Sequence, residues 1–100
     1  MTHKNSYLAP VGTVELTGAN QVAVSGECIF YGTSIMDEGN GQVKVQVYDG
    51  VDDTGKHLAQ VNINANGNDH YWFGPNGIKC DVGIYIKVYT GTPVGVVFYR

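Results

Sequence analysis

The stretch QVKVQVYDG, residues 42–50, alternates apolar and polar side chains without a break. Val43, Val45 and Val47 fall on one side; Lys44, Gln46 and Tyr48 fall on the other. That is the period of an extended strand with one face buried and one face wet. Asp49 and Gly50 then close it with residues suited to tight turns. A slip of one residue would move all three valines into water, so the row predicts both a strand and its register.

Similar runs extend in both directions. Upstream lie GTVELTG (12–18), QVAVS (21–25) and ECIFYGTSIMD (27–37). In the last, Cys28, Phe30 and Met36 share one parity, and Ile29, Tyr31 and Ile35 share the other. A strand apolar on both sides is central in its sheet or covered by another subunit. Downstream come HLAQVNINA (57–65), the short aromatic HYWFGPNG (70–77), GIKCDVGIYIKVYTG (77–91) and VGVVFYR (94–100). The 77–91 segment reads as one strand with Ile78, Cys80, Val82, Ile84, Ile86 and Val88 on a single face. Turn residues punctuate every junction, and no stretch has the i, i+3, i+4 spacing of a helix. Seven or eight short strands at this spacing predict an all-β, single-domain, antiparallel two-sheet β-sandwich. Jelly-roll and immunoglobulin-like windings both remain open. Residues 1–8 read as a polar N-terminal arm and residues 9–100 as the sandwich. The expected core is Val43, Val45, Val47, Ile78, Cys80, Ile84, Ile86 and Val88, with Lys44 and Lys79 outside.

Composition narrows the function classes. Only 15% of the 100 residues are charged, and 14 are glycine, against averages of roughly 25% and 7%. The net charge is −3, and the six cations Lys4, Lys44, Lys56, Lys79, Lys87 and Arg100 are scattered singly. Phosphate neutralisation needs a basic patch, so nucleic acid and anionic membrane surfaces are not expected partners. No apolar run approaches the roughly 18 residues of a membrane span. The N-terminus lacks the apolar stretch of a secretory signal, so a reducing cytoplasm is expected, with Cys28 and Cys80 as reduced core cysteines.

No catalytic, metal or cofactor residues are assigned. His3, His57 and His70 are far apart, and neither a nucleophile elbow, a zinc motif nor a phosphate loop is present. Asp49, Asp52 and Asp53 are weighed as turn formers against a weak Ca²⁺ loop joined by Asp37 and Glu38; the cation-loop spacing is missing. The aromatics are more telling. Tyr71 and Phe73 must point one way and Trp72 the other, while Tyr31, Tyr48, Tyr85, Tyr89 and Tyr99 read as outward-facing. Such rings serve subunit interfaces, packing within the domain, or stacking on sugars. The interface candidates are Tyr7, Leu8, Tyr31, Tyr48, Trp72, Tyr85 and Tyr89. Tyr7 and Leu8 are the first residues able to anchor the arm, which is expected to lie against a neighbouring subunit.

Four segments together carry a resemblance: IFYGTSI (29–35), QVKVQVYDGVDDTGKHLA (42–59), FGPNGIK (73–79) and GIYIKVYTGTPVGVVFYR (83–100). In that order they are similar to small β-sandwich virion structural proteins of tailed bacteriophages. The resemblance implies a non-enzymatic homo-oligomer, with a trimer expected by analogy. It implies a capsid decoration (cement) protein or a small part of a tail or fibre. The major capsid protein or other virion proteins would be its partners. Its place would be the virion, assembled in the cytoplasm of a bacterial host. The alternative is a carbohydrate- or receptor-binding β-sandwich module of a tail or fibre. There Trp72, with Tyr85 or Tyr89, would line a concave face ringed by Asn and Asp.

Overall fold

A computed structural model describes residues 12–37, 39, 41–64 and 67–100. The N-terminal arm, with Tyr7 and Leu8, lies outside the described residues. Nine strands follow in order: β1 (Gly12–Glu15), β2 (Gln21–Ser25), β3 (Cys28–Asp37), β4 (Val43–Asp49), β5 (Lys56–Ile63), β6 (Asn68–Trp72), β7 (Ile78–Cys80), β8 (Gly83–Thr90) and β9 (Pro93–Tyr99). No helix occurs among the described residues, so none is long and apolar enough to cross a membrane.

The first sheet runs β1-β9-β3-β6, with β7 also paired to β3, and the second runs β2-β8-β4-β5. Every pairing is antiparallel. The chain is in effect one long hairpin, folded back at the β4–β5 loop. β4 pairs with β5, β3 with β6 and β7, β2 with β8, and β1 with β9. Rolled up so that successive pairs alternate between sheets, this is the winding of a jelly roll. It decides between the two topologies that periodicity leaves open.

The space between the sheets is filled as the alternation predicts. Val43, Val45, Val47, Cys80, Ile84 and Ile86 are fully buried, joined by Phe30, Ile35, Val61 and Val97. Ile78 and Val88, at the margins of these rows, are only partly buried against them. Lys44 and Lys79 lie outside. β3 is central, flanked by β9 and by β6 and β7, which accounts for its apolar residues of both parities.

Two local expectations fail for identifiable reasons. In β3 the register against β9 shifts between Phe30 and Gly32. The extra residue, Tyr31, resets the phase. Ile35 therefore joins Phe30 in the core, while Met36 turns outward and is 48% exposed. The 77–91 segment is not one strand. It breaks at Asp81–Val82 into β7 and β8, which belong to different sheets. Both strands face the same core, so the alternation runs through the break, yet Val82 itself sits on the turn and is 48% exposed.

Asp49 holds that break in place. Its buried carboxylate accepts hydrogen bonds from the backbone N–H groups of Asp81 at 2.9 Å, Val82 at 2.9 Å and Gly83 at 3.2 Å. Gly83 is required there, since a Cβ would lie 2.4 Å from the Val24 carbonyl oxygen. Burial alone would raise the Asp49 carboxyl's pKa, but the three N–H donors and the Lys56 charge outweigh it and hold the group below its ordinary value. The folded form thus favours the carboxylate. Its stabilisation is present above the ordinary value of 3.8 and is lost as pH falls through the depressed folded-state value.

Asp49→Ala should therefore cost roughly 2–4 kcal/mol in denaturant unfolding, since three buried donors lose a charged acceptor. Asp49→Asn should flatten the acid limb of the stability curve below pH 4; an unchanged acid limb would contradict the assignment. In contrast, Thr33 is buried with its Oγ1 unpartnered. Thr33→Val, which removes that oxygen at nearly constant volume, should stabilise the fold by about 1 kcal/mol in the same assay.

Candidate binding face

Each sheet keeps one face turned away from the core, and the two outer faces differ in chemistry. On the second sheet the outward residues are Lys44, Gln46 and Tyr48 from β4, Gln60 and Asn62 from β5, and Tyr85 and Lys87 from β8. The register places Gln46 opposite both Gln60 and Lys87, and Tyr48 opposite both His57 and Tyr85. Near the end of β8 the pairing jumps from Val45↔Val88 to Lys44↔Thr90. Tyr89 is the extra residue of this bulge; its ring keeps the outward parity of Tyr85 and Lys87 and is 49% exposed, and the shift brings Thr90 opposite Lys44 beside it. Gly91 makes the following turn with φ +87, where a Cβ would lie 2.2 Å from the Gln42 carbonyl oxygen.

The polar groups of this face form one hydrogen-bonded chain. The Tyr48 hydroxyl donates to Gln46 Oε1. The Tyr48 and Tyr89 hydroxyls share a further hydrogen bond at 3.1 Å, in which either oxygen can donate. Gln46 Nε2 donates in turn to Gln60 Oε1 at 3.1 Å. Gln60 Nε2 ends the chain with no partner among the described residues. Lys87 lies 5.6 Å from the centre of the Tyr89 ring and 3.7 Å from Asp53, and the His57 ring lies 5.5 Å from that of Tyr48. Beside the chain opens a groove of about 360 Å³, lined by Lys44, Gln46, Gln60, Asn62, Tyr89 and Thr90 over Val45. The hydrogen bond shared with Tyr89 is the main reason that ionisation of Tyr48 is pushed up to about 12. Burial comes second, followed by the charges that Tyr89 and Asp53 would set against a phenolate.

On the first sheet the outer face is apolar. Trp72, 56% exposed, lies over the fully buried Tyr31 at 5.6 Å between ring centres, with Phe98 at its edge at 6.4 Å. Val96, Val94 and Met36 extend the surface along β9 and β3. Ser34 and His70 sit within it, Oγ to Nδ1 at 2.7 Å. No carboxylate bonds that imidazole among the described residues, so the orienting member of a nucleophilic constellation is lacking there.

The sequence candidates thus divide between two faces. Tyr48, Tyr85 and Tyr89 share the second sheet, while Trp72 and Tyr31 share the first. The expected joint face of Trp72 with Tyr85 or Tyr89 is not assembled. Tyr31 and Tyr48 point outward, as alternation requires, but are covered by Trp72 and by Tyr89 with His57, so neither is an exposed ring. Gln46 and Gln60 were not singled out by sequence; their one signal is an outward parity shared with Tyr48. The acidic loop is also divided. Asp49 holds the β7–β8 turn, Asp52 accepts from Thr54 N–H at 2.9 Å and from its hydroxyl at 2.5 Å, and Asp53 faces Lys87. No group of three metal-ligating side chains gathers among the described residues. Cys28 and Cys80 are buried free thiols facing each other across β3 and β7. Burial foremost, then the neighbouring Cys28 and Asp49, pushes Cys80 up to about 12, so it stays protonated at neutral pH.

Comparison of the chain with protein-family models, with curated proteins and with solved structures returns no match.

A phenolate titration followed by ultraviolet absorbance should show one of the seven tyrosines ionising near 12, and Tyr48→Phe should abolish that step. Because the raised value means that folding favours the neutral phenol, the associated stability should be complete below the usual value of 10 and disappear as pH rises through about 12. Tyr89→Phe should bring the step back toward 10. A single transition near 10 for all tyrosines of the wild-type chain would contradict the hydrogen bonding of Tyr48.

Proposed function

We propose that this chain is a virion structural protein of a tailed phage, a capsid decoration (cement) protein that works by assembling and involves no catalysis. The observation that carries the reading is the apolar outer face of the first sheet. Trp72 at 56% and Met36 at 48% exposure bracket the half-buried Phe98, Val96 and Val94 on a surface that no element among the described residues covers. Contiguous apolar surface of this kind marks interaction sites on small proteins. Tryptophan is also among the residues that most often anchor such interfaces. The segment resemblance supports a virion setting, and the jelly-roll winding is one that capsid and lectin domains use.

In this reading the face packs against further copies of the chain, giving the expected trimer. The major capsid protein is held by the assembled unit. Each apolar side chain removed from water contributes at roughly 25 cal/mol per Å² before association costs. Many weak outward loads on a shell can be resisted this way without chemistry at any one residue.

The reading is tested at two levels. Sedimentation should find an oligomer for the wild-type chain and a monomer for Met36→Asp, which places a charge on the face without entering the core; Trp72→Ala should weaken the same association. Mass spectrometry of particles purified from cells that carry the gene should find the chain in stoichiometric amounts. A wild-type monomer at high micromolar concentration, or particles without the chain, would overturn the proposal.

A further inference from the structure

The groove on the outer face of the second sheet has no part in the assembly just described. We infer that it is a saccharide-binding site, in which a sugar ring stacks on Tyr89 and its hydroxyls bond to Gln60, Asn62 and Lys44. The inference does not rest on the proposed virion role, because the two faces belong to different sheets.

Three observations carry it. A sugar presents an apolar ring face edged by hydroxyls, so its site needs an exposed aromatic plane beside fixed donors and acceptors. Tyr89 supplies the plane, half-exposed at the groove wall. The ring is also held. Its hydroxyl shares a hydrogen bond with that of Tyr48, which is itself bonded to Gln46, so the tyrosine is oriented before any ligand arrives. Preorganisation of this kind lowers the ordering cost of binding. Finally, the hydrogen-bonded chain ends at the groove with capacity to spare. Gln60 keeps its Nε2 donor group, Asn62 and Thr90 add donors and acceptors, and Lys44 adds a cation with no ion-pair partner among the described residues. The lining contains no carboxylate, so both neutral and acidic sugars are admitted. At about 360 Å³ the groove is at the lower end of ordinary ligand sites, which suits a short stretch of an oligosaccharide better than a polymer face.

Two further grooves among the described residues do not combine these properties. The pocket at Glu27, Ile29 and Lys79 has no aromatic plane, and the groove at Ser34 and His70 lies within the apolar face.

The test uses the purified full chain on a printed array of microbial and animal oligosaccharides, neutral and acidic, with hits measured by titration calorimetry. Binding to at least one glycan is expected. Tyr89→Ala should weaken it by about tenfold or more, equivalent to about 1.4 kcal/mol, and Gln60→Ala should also weaken it. Tyr89→Phe keeps the stacking plane but frees the ring from Tyr48, and should bind more weakly than wild type and more tightly than Tyr89→Ala. Both positions are on the surface, and an unchanged near-ultraviolet circular dichroism spectrum checks the fold of each variant. Met36→Asp should bind as wild type does, which separates this site from the assembly face. No glycan bound across the array, or binding that both Tyr89→Ala and Gln60→Ala leave intact, would overturn the inference.

Discussion

The carboxylate of Asp49 accepts hydrogen bonds from three consecutive backbone N–H groups, and the position of the rest of the sandwich follows from where that grip falls. Asp49 ends β4, at the closed end of the long hairpin. The groups it holds form the turn at which the chain leaves the first sheet as β7 and enters the second as β8. A carboxylate with that many donors has a fixed position and a fixed charge. It therefore sets the residue at which the chain changes sheets. Were the change displaced by one residue, Ile84 and Ile86 would turn outward, and Tyr85 and Lys87 would turn into the core. The same bond that secures the core thus also determines which side chains form the second sheet's outer face.

From this constraint comes the contrast between the two surfaces. A jelly roll spends one face of each sheet on the core and leaves the other free. In this chain one free face presents Trp72, Phe98, Val96 and Met36. The other presents a hydrogen-bonded row from Tyr89 through Tyr48 and Gln46 to Gln60. An apolar face is suited to permanent contact between subunits. A polar, aromatic face with a groove is suited to a ligand that comes and goes. Assembly through one sheet leaves the other available. In the proposed reading the chain assembles through the apolar face and holds a sugar on the other.

Much of the fold was legible in the sequence. Val43, Val45 and Val47 announced a buried row, and Ala59, Val61 and Ile63 announced its partner, because a two-residue period depends only on neighbours in the chain. Met36 was misplaced because a bulge at Tyr31 resets the parity, and no local pattern announces an extra residue in a ladder. Val82 was misplaced for the opposite reason. The parity continues across a change of sheet, so the alternation hides the turn. The role of Asp49 was equally hidden, since its partners lie more than thirty residues away.

The candidate sites were legible only as a set of aromatic rings, without their grouping. Which tyrosines share a face depends on strand order, and strand order is a matter of long-range pairing. Tyr31 and Tyr48 have the same outward parity as Tyr89 but are covered by neighbours that sequence spacing does not reveal. The most direct test of the account is amide hydrogen exchange at Val82, whose side chain is half-exposed on a turn yet whose N–H is bonded to Asp49. The account predicts slow exchange at neutral pH, comparable with amides of the central strands, and its loss in Asp49→Ala. Exchange at Val82 as fast as in an unprotected loop in the wild-type chain would contradict it.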